Sequence, residues 1–213
     1  MSGKFQSYII RGKFRKRAIP KPSVIRGHDN VTSQKIKEAV FQIFDNNNNL
    51  EQSLFIDLFS GSGQIGFEAL SRACPAVGFV EINSKRLSAI RQWVEQNDPE
   101  ATVYYFKKDA LRLLKKILEK PEEIFTQTKK LPTSLIVYAD PPYQQHNLKF
   151  ESTVKLLQLF HTVETPFLNK TLMVQTPMER SSNEEFLETN PVLQELPIEF
   201  HRYGKHCLIG MHS

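Results

Sequence analysis

The sequence predicts an α/β fold built on a mostly parallel sheet of seven strands, with an antiparallel hairpin at its C-terminal end. Three observations support this prediction. From residue 53 onward, short apolar runs alternate with amphipathic segments, which is typical of the strands and helices of a parallel sheet. The glycine-rich turn "SGSGQIG" at 60–66 separates the first apolar run from a helical pattern. The last two extended segments are joined near Gly204 by too few residues for a crossover, so they pair as a hairpin.

Each element of this sheet has its own signal in the chain. Apolar runs predict parallel strands at residues 54–59, 77–81, 102–106, 134–139 and 171–176. Helical periodicity between these runs predicts helices at residues 64–73, 84–97, about 109–119 and about 149–161. A polar, acidic stretch predicts a short helix at residues 179–189, and the terminal hairpin is expected at residues 192–202 and 206–212.

The first part of the chain lies outside this repeat of strands and helices. Residues 6–19, "QSYIIRGKFRKRAI", alternate apolar and basic positions and predict a short strand or hairpin. The following "TSQKIKEAVFQIF" predicts a helix that is capped by Thr32 or Ser33 and ends at the run "DNNNN". We therefore predict a small basic β extension at residues 1–32 and one α/β domain at residues 33–213.

Positive charge is concentrated at the start of the chain. Residues 1–37 contain ten Lys or Arg and one acid and carry +9, whereas the other 176 residues carry −4. A basic segment on a mildly acidic body is typical of nucleic-acid binding, and a solvated or membrane-surface segment is the alternative. On an extended strand Lys13, Arg15 and Arg17 would line one face. The predicted RNA-binding residues are Arg11, Lys13, Arg15, Lys16, Arg17, Thr32 and Lys35.

Composition excludes several classes of protein. With 40% hydrophobic and 24% charged residues the chain is typical of a folded soluble protein. It has no apolar run long enough for a membrane span and no signal peptide, so we expect a cytoplasmic protein. We also expect a monomer. Cys74 and Cys207 have no metal-ligand or redox spacing and are expected to be buried, reduced thiols. The six histidines have no ligand spacing either, and no metal site is predicted.

Glycines and acids follow the predicted strands at the edge of the sheet where ligands bind. Gly61, Gly63 and Gly66 have the spacing G-x-G-x-x-G, which fits a dinucleotide as well as S-adenosylmethionine. Glu81, at the end of the second strand, is placed to accept hydrogen bonds from the ribose of either cofactor. Asp109 is interpreted as the N-cap of the next helix, as an acceptor for an adenine amine, or as both. The predicted cofactor-binding residues are Asp57, Phe59, Gly61, Ser62, Gly63, Gly66, Glu81, Asp109 and Ala110.

The stretch "VYADPPY" favours S-adenosylmethionine over NAD. Its two prolines hold the Pro141 carbonyl in a rigid turn beside Asp140. This carbonyl and the Asp140 carboxylate are suited to accept the two N–H groups of an exocyclic base amine, so that its lone pair points at a methyl donor. By itself the loop is equally consistent with a structural turn, but with the glycine loop and Glu81 it indicates amine methylation. The predicted catalytic residues are Asp140, Pro141, Pro142 and Tyr143, the last of which would stack on the base.

The chain resembles the RsmD family of 16S ribosomal RNA guanine-N2 methyltransferases along its whole length. "IIRGKFRKRAI" is similar to that family's N-terminal Ile-Ile-Gly-Gly-x-x-Arg-Gly-Arg motif, and "TSQKIKEAVFQIF" to its Thr-x-x-x-Val-Arg-Glu-x-Leu-Phe helix. "FIDLFSGSGQIGFEALSR" resembles its glycine loop, "ADPPY" its catalytic loop and "RYGKHCLI" its closing Tyr-Gly turn. The chain departs from the family where Arg11 and Lys16 replace glycines and where Asn30-Val31 replaces Arg-Pro.

The resemblance implies a Rossmann-like class I methyltransferase fold that uses S-adenosylmethionine. It further implies methyl transfer to the N2 amine of a guanine, with 16S ribosomal RNA, the small subunit or an assembly particle as the partner. The glycine loop and Asp-Pro-Pro-Tyr are shared with other amino methyltransferases, so two alternatives stay open. One is an adenine-N6 methyltransferase acting on DNA or another RNA, and the other is a weakly catalytic RNA-binding factor for ribosome assembly. A NAD-dependent oxidoreductase is a more remote third.

Overall fold

The computed structural model describes residues 7–20, 32–47, 50–126, 131–141, 146–177, 183–204 and 206–212. The strands are β1 (Ser53–Asp57), β2 (Ala76–Val80), β3 (Val103–Phe106), β4 (Ser134–Ala139), β5 (Asn169–Pro177), β6 (Ile198–Tyr203) and β7 (His206–His212). The α-helices are α1 (Gln34–Asn47), α2 (Gln64–Ser71), α3 (Ser84–Asn97), α4 (Ala110–Glu119), α5 (Pro121–Ile124), α6 (His146–Thr162) and α7 (Asn183–Thr189).

All seven strands form one sheet, in the order β3-β2-β1-β4-β5-β7-β6. Strands β1 to β5 pair in parallel, and β7 pairs antiparallel with both β5 and β6. This confirms the predicted mostly parallel sheet with a C-terminal hairpin. The strand order reverses between β1 and β4, so the loops that follow these two strands leave a crevice at the carboxyl edge of the sheet.

Strand β1 lies at the centre of the sheet and is buried on both faces. Leu54 and Ile56 belong to the core on the side of α4 and α6, whereas Phe55 belongs to the core on the side of α1, α2 and α3. Phe55 contacts the rings of Phe41 and Phe44 on α1. A continuous apolar run is expected for a strand that helices cover on both faces.

Several element boundaries differ from the sequence predictions. The first parallel strand ends at Asp57, because the next residues already belong to the glycine loop. The segment predicted as extended from residue 192 starts with a 3-10 turn, Pro191–Leu193, and the strand begins only at Ile198. The short helix α5 was not predicted; Pro121 occupies its first position, where a missing N–H is tolerated. Of the stretch 179–189, residues 179–182 lie outside the described residues.

Of the strand or hairpin predicted for residues 6–19, the described part of that stretch shows the hairpin and not the strand. Residues 7–20, called the N-terminal segment below, contain a single antiparallel bridge, between Tyr8 and Ala18. The residues between them form successive turns, with left-handed backbone at Gly12 and Lys16. The segment is therefore a hairpin that is closed by one bridge, and it lacks the alternating faces of a strand.

The N-terminal segment packs on the helices of the α/β domain. Ile9, Phe14 and Ile19 are buried in the same core as Phe55. The backbone N–H of Phe14 donates to Ser71 Oγ at 2.9 Å, and Trp93 Nε1 donates to the carbonyl of Ala18 at 2.9 Å. The segment thus shares its core with the domain, while the boundary at residue 32 stays a prediction.

A buried ion pair joins the N-terminal segment, α1 and α2. Lys37 and Glu68 are both fully buried, with Nζ and Oε1 3.8 Å apart. Glu68 Oε1 also accepts the N–H of Ile10 at 2.5 Å, and Lys37 Nζ donates to the carbonyl of Tyr8 at 2.7 Å. Burial raises the pKa of Glu68 and lowers that of Lys37, and the opposite charge of each partner counteracts these shifts.

Substitution of Gly12 tests how closely the N-terminal segment contacts α2. Gly12 has a φ of +81°, and a Cβ there would lie 1.8 Å from the carbonyl oxygen of Ser71. We expect Gly12→Ala to lower the free energy of unfolding by about 3 kcal/mol or more, because the segment must move. Urea unfolding followed by the fluorescence of Trp93 measures the change.

The matched control is Gly204→Ala. Gly204 has a φ of +61°, but none of the described atoms lies within 4 Å of the point that a Cβ would occupy there. Only the left-handed backbone is penalised at this position, so the expected loss is about 1–2 kcal/mol. Equal losses at the two positions would contradict the close contact between Gly12 and Ser71.

Candidate active site

A cavity of about 460 Å³ opens at the carboxyl edge of the sheet, between the loops that follow β1, β2, β3 and β4. It brings together nine of the residues predicted for cofactor binding and catalysis. These are Asp57, Phe59, Gly61, Ser62, Glu81, Asp109, Ala110, Asp140 and Pro141. Their positions along the sequence span more than 80 residues, and the parallel sheet places all of them on one cavity wall.

Each of the three glycines in the loop is required for a different structural reason. Gly63 has a φ of +80° and is the N-cap of α2, so it adopts the left-handed backbone that turns the chain into the helix. Gly61 is also left-handed, with a φ of +54°, and lies on the cavity wall. Gly66 packs against the sheet instead: a Cβ there would lie 2.2 Å from the ring of Phe79. Gly66 thus permits the close approach of α2 to β2.

Asp57 shapes the glycine loop from the end of β1. Its Oδ2 accepts the N–H of Gly66 at 3.0 Å, which occupies one of the free amides in the first turn of α2. The pKa of Asp57 is raised to about 7, mainly by burial and also by the negative charges of Asp140 and Glu81, against the effect of the Gly66 hydrogen bond. Ser60 completes the loop by donating to the carbonyl of Asp57 at 2.7 Å.

Glu81 is held at the end of β2 by its neighbours. Its Oε1 accepts the N–H of Asn83 at 2.7 Å, and its Oε2 lies 3.8 Å from Arg86 Nη1. Asn83 in turn caps α3 by accepting from the N–H groups of Lys85 and Arg86. The carboxylate is therefore fixed in orientation while it remains on the cavity wall.

Sequence reasoning missed several residues on this wall, among them Ile82, Arg86 and Lys108. Ile82 is 72% exposed although it is apolar, and it follows Glu81 directly. Arg86 and Lys108 place two cations on the wall, next to Glu81 and Asp109. The signal that could have found Ile82 and Arg86 is the stretch "EINSKR", in which an apolar residue and an arginine closely follow the strand-end acid.

Asp109 is the N-cap of α4. Its Oδ1 accepts the N–H of Arg112 at 2.9 Å, as the capping interpretation predicts. The same residue also lies on the cavity wall. Capping does not use both carboxylate oxygens, so a second role toward a ligand is compatible with it.

Asp140 and Pro141 enter the cavity directly after β4. The end of β4 is anchored by Tyr138, whose hydroxyl donates to Gln175 Oε1 at 2.6 Å and whose carbonyl accepts from the N–H of Leu58 at 2.8 Å. Pro142 and Tyr143 lie outside the described residues. Half of the predicted catalytic loop is thus placed in the same cavity as Glu81 and Asp109.

The predicted RNA-binding residues do not lie on one face. Lys13 pairs with Asp98, and Arg17 bonds Asn97, so both are directed at the C-terminal end of α3. Arg11 lies in a separate cavity beside Arg72 and Asp45, and Lys35 is exposed on α1.

The remaining three fall in two places. Thr32 lies on the wall of the candidate active-site cavity, whereas Arg15 and Lys16 line a third pocket. The expected common face of Lys13, Arg15 and Arg17 is wrong, because successive turns replace the strand on which it depended.

The cysteines and possible metal ligands form no second site in the described part of the chain. Cys74 and Cys207 are buried free thiols, and burial raises their pKa values to about 12 and about 11. Among the described residues no three His, Cys, Asp or Glu side chains are grouped so as to hold a metal ion. None of the described helices is both long and apolar enough to cross a membrane.

Residues 7–206 match the family described as "Conserved hypothetical protein 95". This match spans nearly the whole chain. The chain belongs to the RsmD family. The resemblance seen in the sequence motifs is thereby confirmed.

This RsmD-family chain is similar in sequence to named bacterial proteins. The "Ribosomal RNA small subunit methyltransferase D" of Buchnera aphidicola subsp. Acyrthosiphon pisum is 28% identical over 154 residues, which are 71% of this chain and 69% of that protein. An uncharacterized methylase of Rickettsia prowazekii is 30% identical over 113 residues, which are 50% of this chain and 47% of that protein. The chain thus spans about half the length of the Rickettsia relative.

Among solved structures, the Escherichia coli protein yhhF, described as a methyltransferase, superimposes on this RsmD-family chain with a TM-score of 0.65. The match covers 98% of both chains at 18% identity. Likeness at this identity concerns the fold alone, and it confirms the predicted class I methyltransferase fold.

The raised pKa of Asp57 predicts a pH dependence of stability. The pKa rises from 3.8 to about 7 on folding, so the folded protein favours the protonated carboxyl. The contribution of this group is complete below about pH 4 and is lost as the pH rises through about 7. Asp57→Asn keeps an acceptor for Gly66 and carries no charge. We therefore expect the free energy of unfolding of the variant, relative to that of the wild type, to increase by about a few kcal/mol as the pH is raised from acidic values to about 8.

Urea unfolding of both proteins across this pH range measures the difference. A difference that stays constant with pH would show that Asp57 titrates in the folded protein as it does in the unfolded chain.

Proposed function

We propose that this RsmD-family protein transfers a methyl group from S-adenosylmethionine to the N2 amine of a guanine in 16S ribosomal RNA. The observation that carries the proposal is that Asp140 and Pro141, which are suited to hold a base amine, share one cavity with Glu81 and Asp109, which are suited to hold an adenosine. The name of the Buchnera relative supports the choice of ribosomal RNA.

The residues of the cavity fit S-adenosylmethionine. A volume of about 460 Å³ is in the usual range for a cofactor site. Glu81 would hold the ribose, Asp109 and the exposed Ile82 would contact the adenine, and the loop at Gly61 would approach the methionine end. When bound, the cofactor supplies the activated methyl group.

The charges on the wall also suit a cationic ligand. Four carboxyl groups, those of Asp57, Glu81, Asp109 and Asp140, lie on it with two cations, Arg86 and Lys108. The nearby charges of Asp140 and Glu81 contribute to the raised pKa of Asp57. A sulfonium cation placed among these groups would relieve their mutual repulsion.

Asp140 and Pro141 act on the second substrate. The lone pair of an aromatic amine is delocalised into the ring, so the amine is a weak nucleophile. The Asp140 carboxylate and the Pro141 carbonyl would each accept one N–H, which holds the nitrogen in the geometry where its lone pair faces the methyl donor. Fixing these acceptors directly after β4 keeps them rigid, because Tyr138 anchors the strand end. A base reaches this position only after leaving its stack, so the proposal requires an unpaired or flipped guanine.

The first experiment is transfer of labelled methyl from S-adenosylmethionine to unmodified small ribosomal subunits, with protein-free 16S RNA and duplex DNA in parallel. We expect label in RNA as N2-methylguanine. Asp140→Ala should lower kcat by about 100-fold or more, since the amine loses one of its two acceptors, while affinity for S-adenosylhomocysteine changes little.

The products distinguish the alternatives. N6-methyladenine would support the adenine-N6 enzyme, and the substrate that carries it would tell DNA from RNA. Binding to the subunit without label in any substrate would support the assembly factor.

A second experiment tests the adenosine end of the cavity. Glu81→Gln removes the charge that strengthens hydrogen bonds to the ribose, so titration calorimetry should show about 10-fold to 100-fold weaker binding of S-adenosylhomocysteine. Glu100→Gln, an exposed carboxylate outside the cavity, is the matched control and should bind as the wild type does. Equal affinity in all three proteins would remove Glu81 from the proposed site.

A further inference from the structure

A pocket of about 410 Å³ lies between the N-terminal segment and the start of α1. The residues that determine its chemistry are an exposed tyrosine, two cations and two polar side chains: Tyr8, Arg15, Lys16, Gln34 and Glu38. The proposed reaction uses none of them for cofactor binding or for holding the target amine. These residues are therefore available to bind a separate ligand.

Tyr8 presents an exposed ring on a fixed backbone. The residue is 42% exposed, whereas its neighbour Ile9 is 1% exposed. The carbonyl of Tyr8 accepts from the buried Lys37 Nζ at 2.7 Å, and Tyr8 also forms the bridge with Ala18. An exposed aromatic side chain on a backbone that is fixed in this way is a stacking surface for a base.

Arg15 and Lys16 lie beside this ring. Neither of them forms an ion pair with any of the described residues, in contrast to Lys13, which pairs with Asp98. Lys16 has a φ of +68°, a backbone conformation that residues other than glycine rarely adopt, and its N–H donates to the carbonyl of Ile9 at 2.8 Å. The turn thus keeps a lysine at a position whose backbone favours glycine, and this lysine adds a second cation to the pocket.

Two connections place this pocket next to the cofactor cavity. Ser7 Oγ donates to Gln64 Oε1 at 2.5 Å, and Gln64 lies on the cavity wall. Thr32 lies on the same wall, and Gln34, two residues later, lines the Tyr8 pocket. A chain that delivers one base to the cavity would therefore pass this pocket with a neighbouring nucleotide.

We propose that the Tyr8 pocket binds an unpaired nucleotide near the target guanine, with its base stacked on Tyr8 and its phosphate against Arg15 and Lys16. This inference rests on the proposed function, because it takes the substrate to be RNA. The side chains of Gln34 and Glu38 supply hydrogen-bonding groups for the edge of the stacked base.

The first test measures stacking with a short single-stranded RNA that contains the target guanine and the fluorescent base 2-aminopurine at successive positions around it. Binding of the wild type should quench the fluorescence at one of these positions. Tyr8→Leu keeps an apolar side chain without an aromatic face, so the quench should disappear and Kd for the RNA should rise about 10-fold. Tyr8→Phe is the matched control and should retain both quench and affinity.

The second test measures the phosphate contacts. Arg15→Gln combined with Lys16→Asn removes two charges, and asparagine tolerates left-handed backbone. RNA binding should weaken, and the slope of log K against log salt should become shallower by about 1 or more. A double variant of two exposed lysines on and beside α4, Lys115→Gln with Lys120→Gln, removes the same charge elsewhere and should leave the slope nearly unchanged.

The outcomes separate this inference from the proposed function. If Tyr8→Leu methylates RNA with unchanged KM and binds it with unchanged Kd, the subsite is wrong and the reaction stands. If the wild type neither binds nor methylates any RNA, both fail together. If the variant loses affinity for assembled subunits but not for protein-free RNA, the pocket contacts a ribosomal protein and the nucleotide subsite is wrong. Wild-type affinity for S-adenosylhomocysteine in each variant verifies that the fold is intact.

Discussion

The buried pair of Lys37 and Glu68 is the interaction on which the arrangement of both pockets depends. Two charges without access to water are tolerated only when each is paired and hydrogen-bonded. Removal of Glu68 would take away the buried partner of Lys37, whereas removal of Lys37 would leave Glu68 with Arg72, whose Nε lies 3.8 Å from its Oε2. The remaining bonds of the pair reach the N-terminal segment at Ile10 and Tyr8. Lys37 is on α1, which lines the Tyr8 pocket, and Glu68 is on α2, whose first turn borders the candidate active site, so one ion pair fixes the segment against both helices.

As a consequence, hydrogen bonds connect the N-terminal segment to the wall of the candidate active-site cavity. Ser7 connects the segment to Gln64, in the first turn of the helix that follows the glycine loop. Lys37 Nζ donates to the same Ser7 hydroxyl at 3.2 Å. A polar network therefore runs from the buried ion pair to the cavity wall.

The part of the fold that local sequence patterns determine was predictable, and the part that distant contacts determine was not. Strand β1 is apolar because both its faces are covered, and Asp109 caps α4 through a bond to Arg112, three residues away; both signals lie within a short window. The conformation of the N-terminal segment depends on hydrogen bonds with Ser71 and Trp93, which lie more than 50 residues away in the sequence, so its alternating pattern was misleading. The strand-end acids were found from their position after the predicted strands, whereas Ile82 and Arg86 were missed although both lie within five residues of Glu81.

Lys16 departs from the family motif at a position where the backbone conformation explains why the motif has glycine. The motif has glycine at this position, and the φ of +68° gives the reason, since a side chain in the left-handed region costs about 1 kcal/mol or more. The hydrogen bond from its N–H to Ile9 maintains the turn in spite of this cost. A lysine in place of the glycine weakens the turn and adds positive charge beside Tyr8. Such an exchange of stability for charge is expected where a phosphate, rather than the core, is the partner of the side chain.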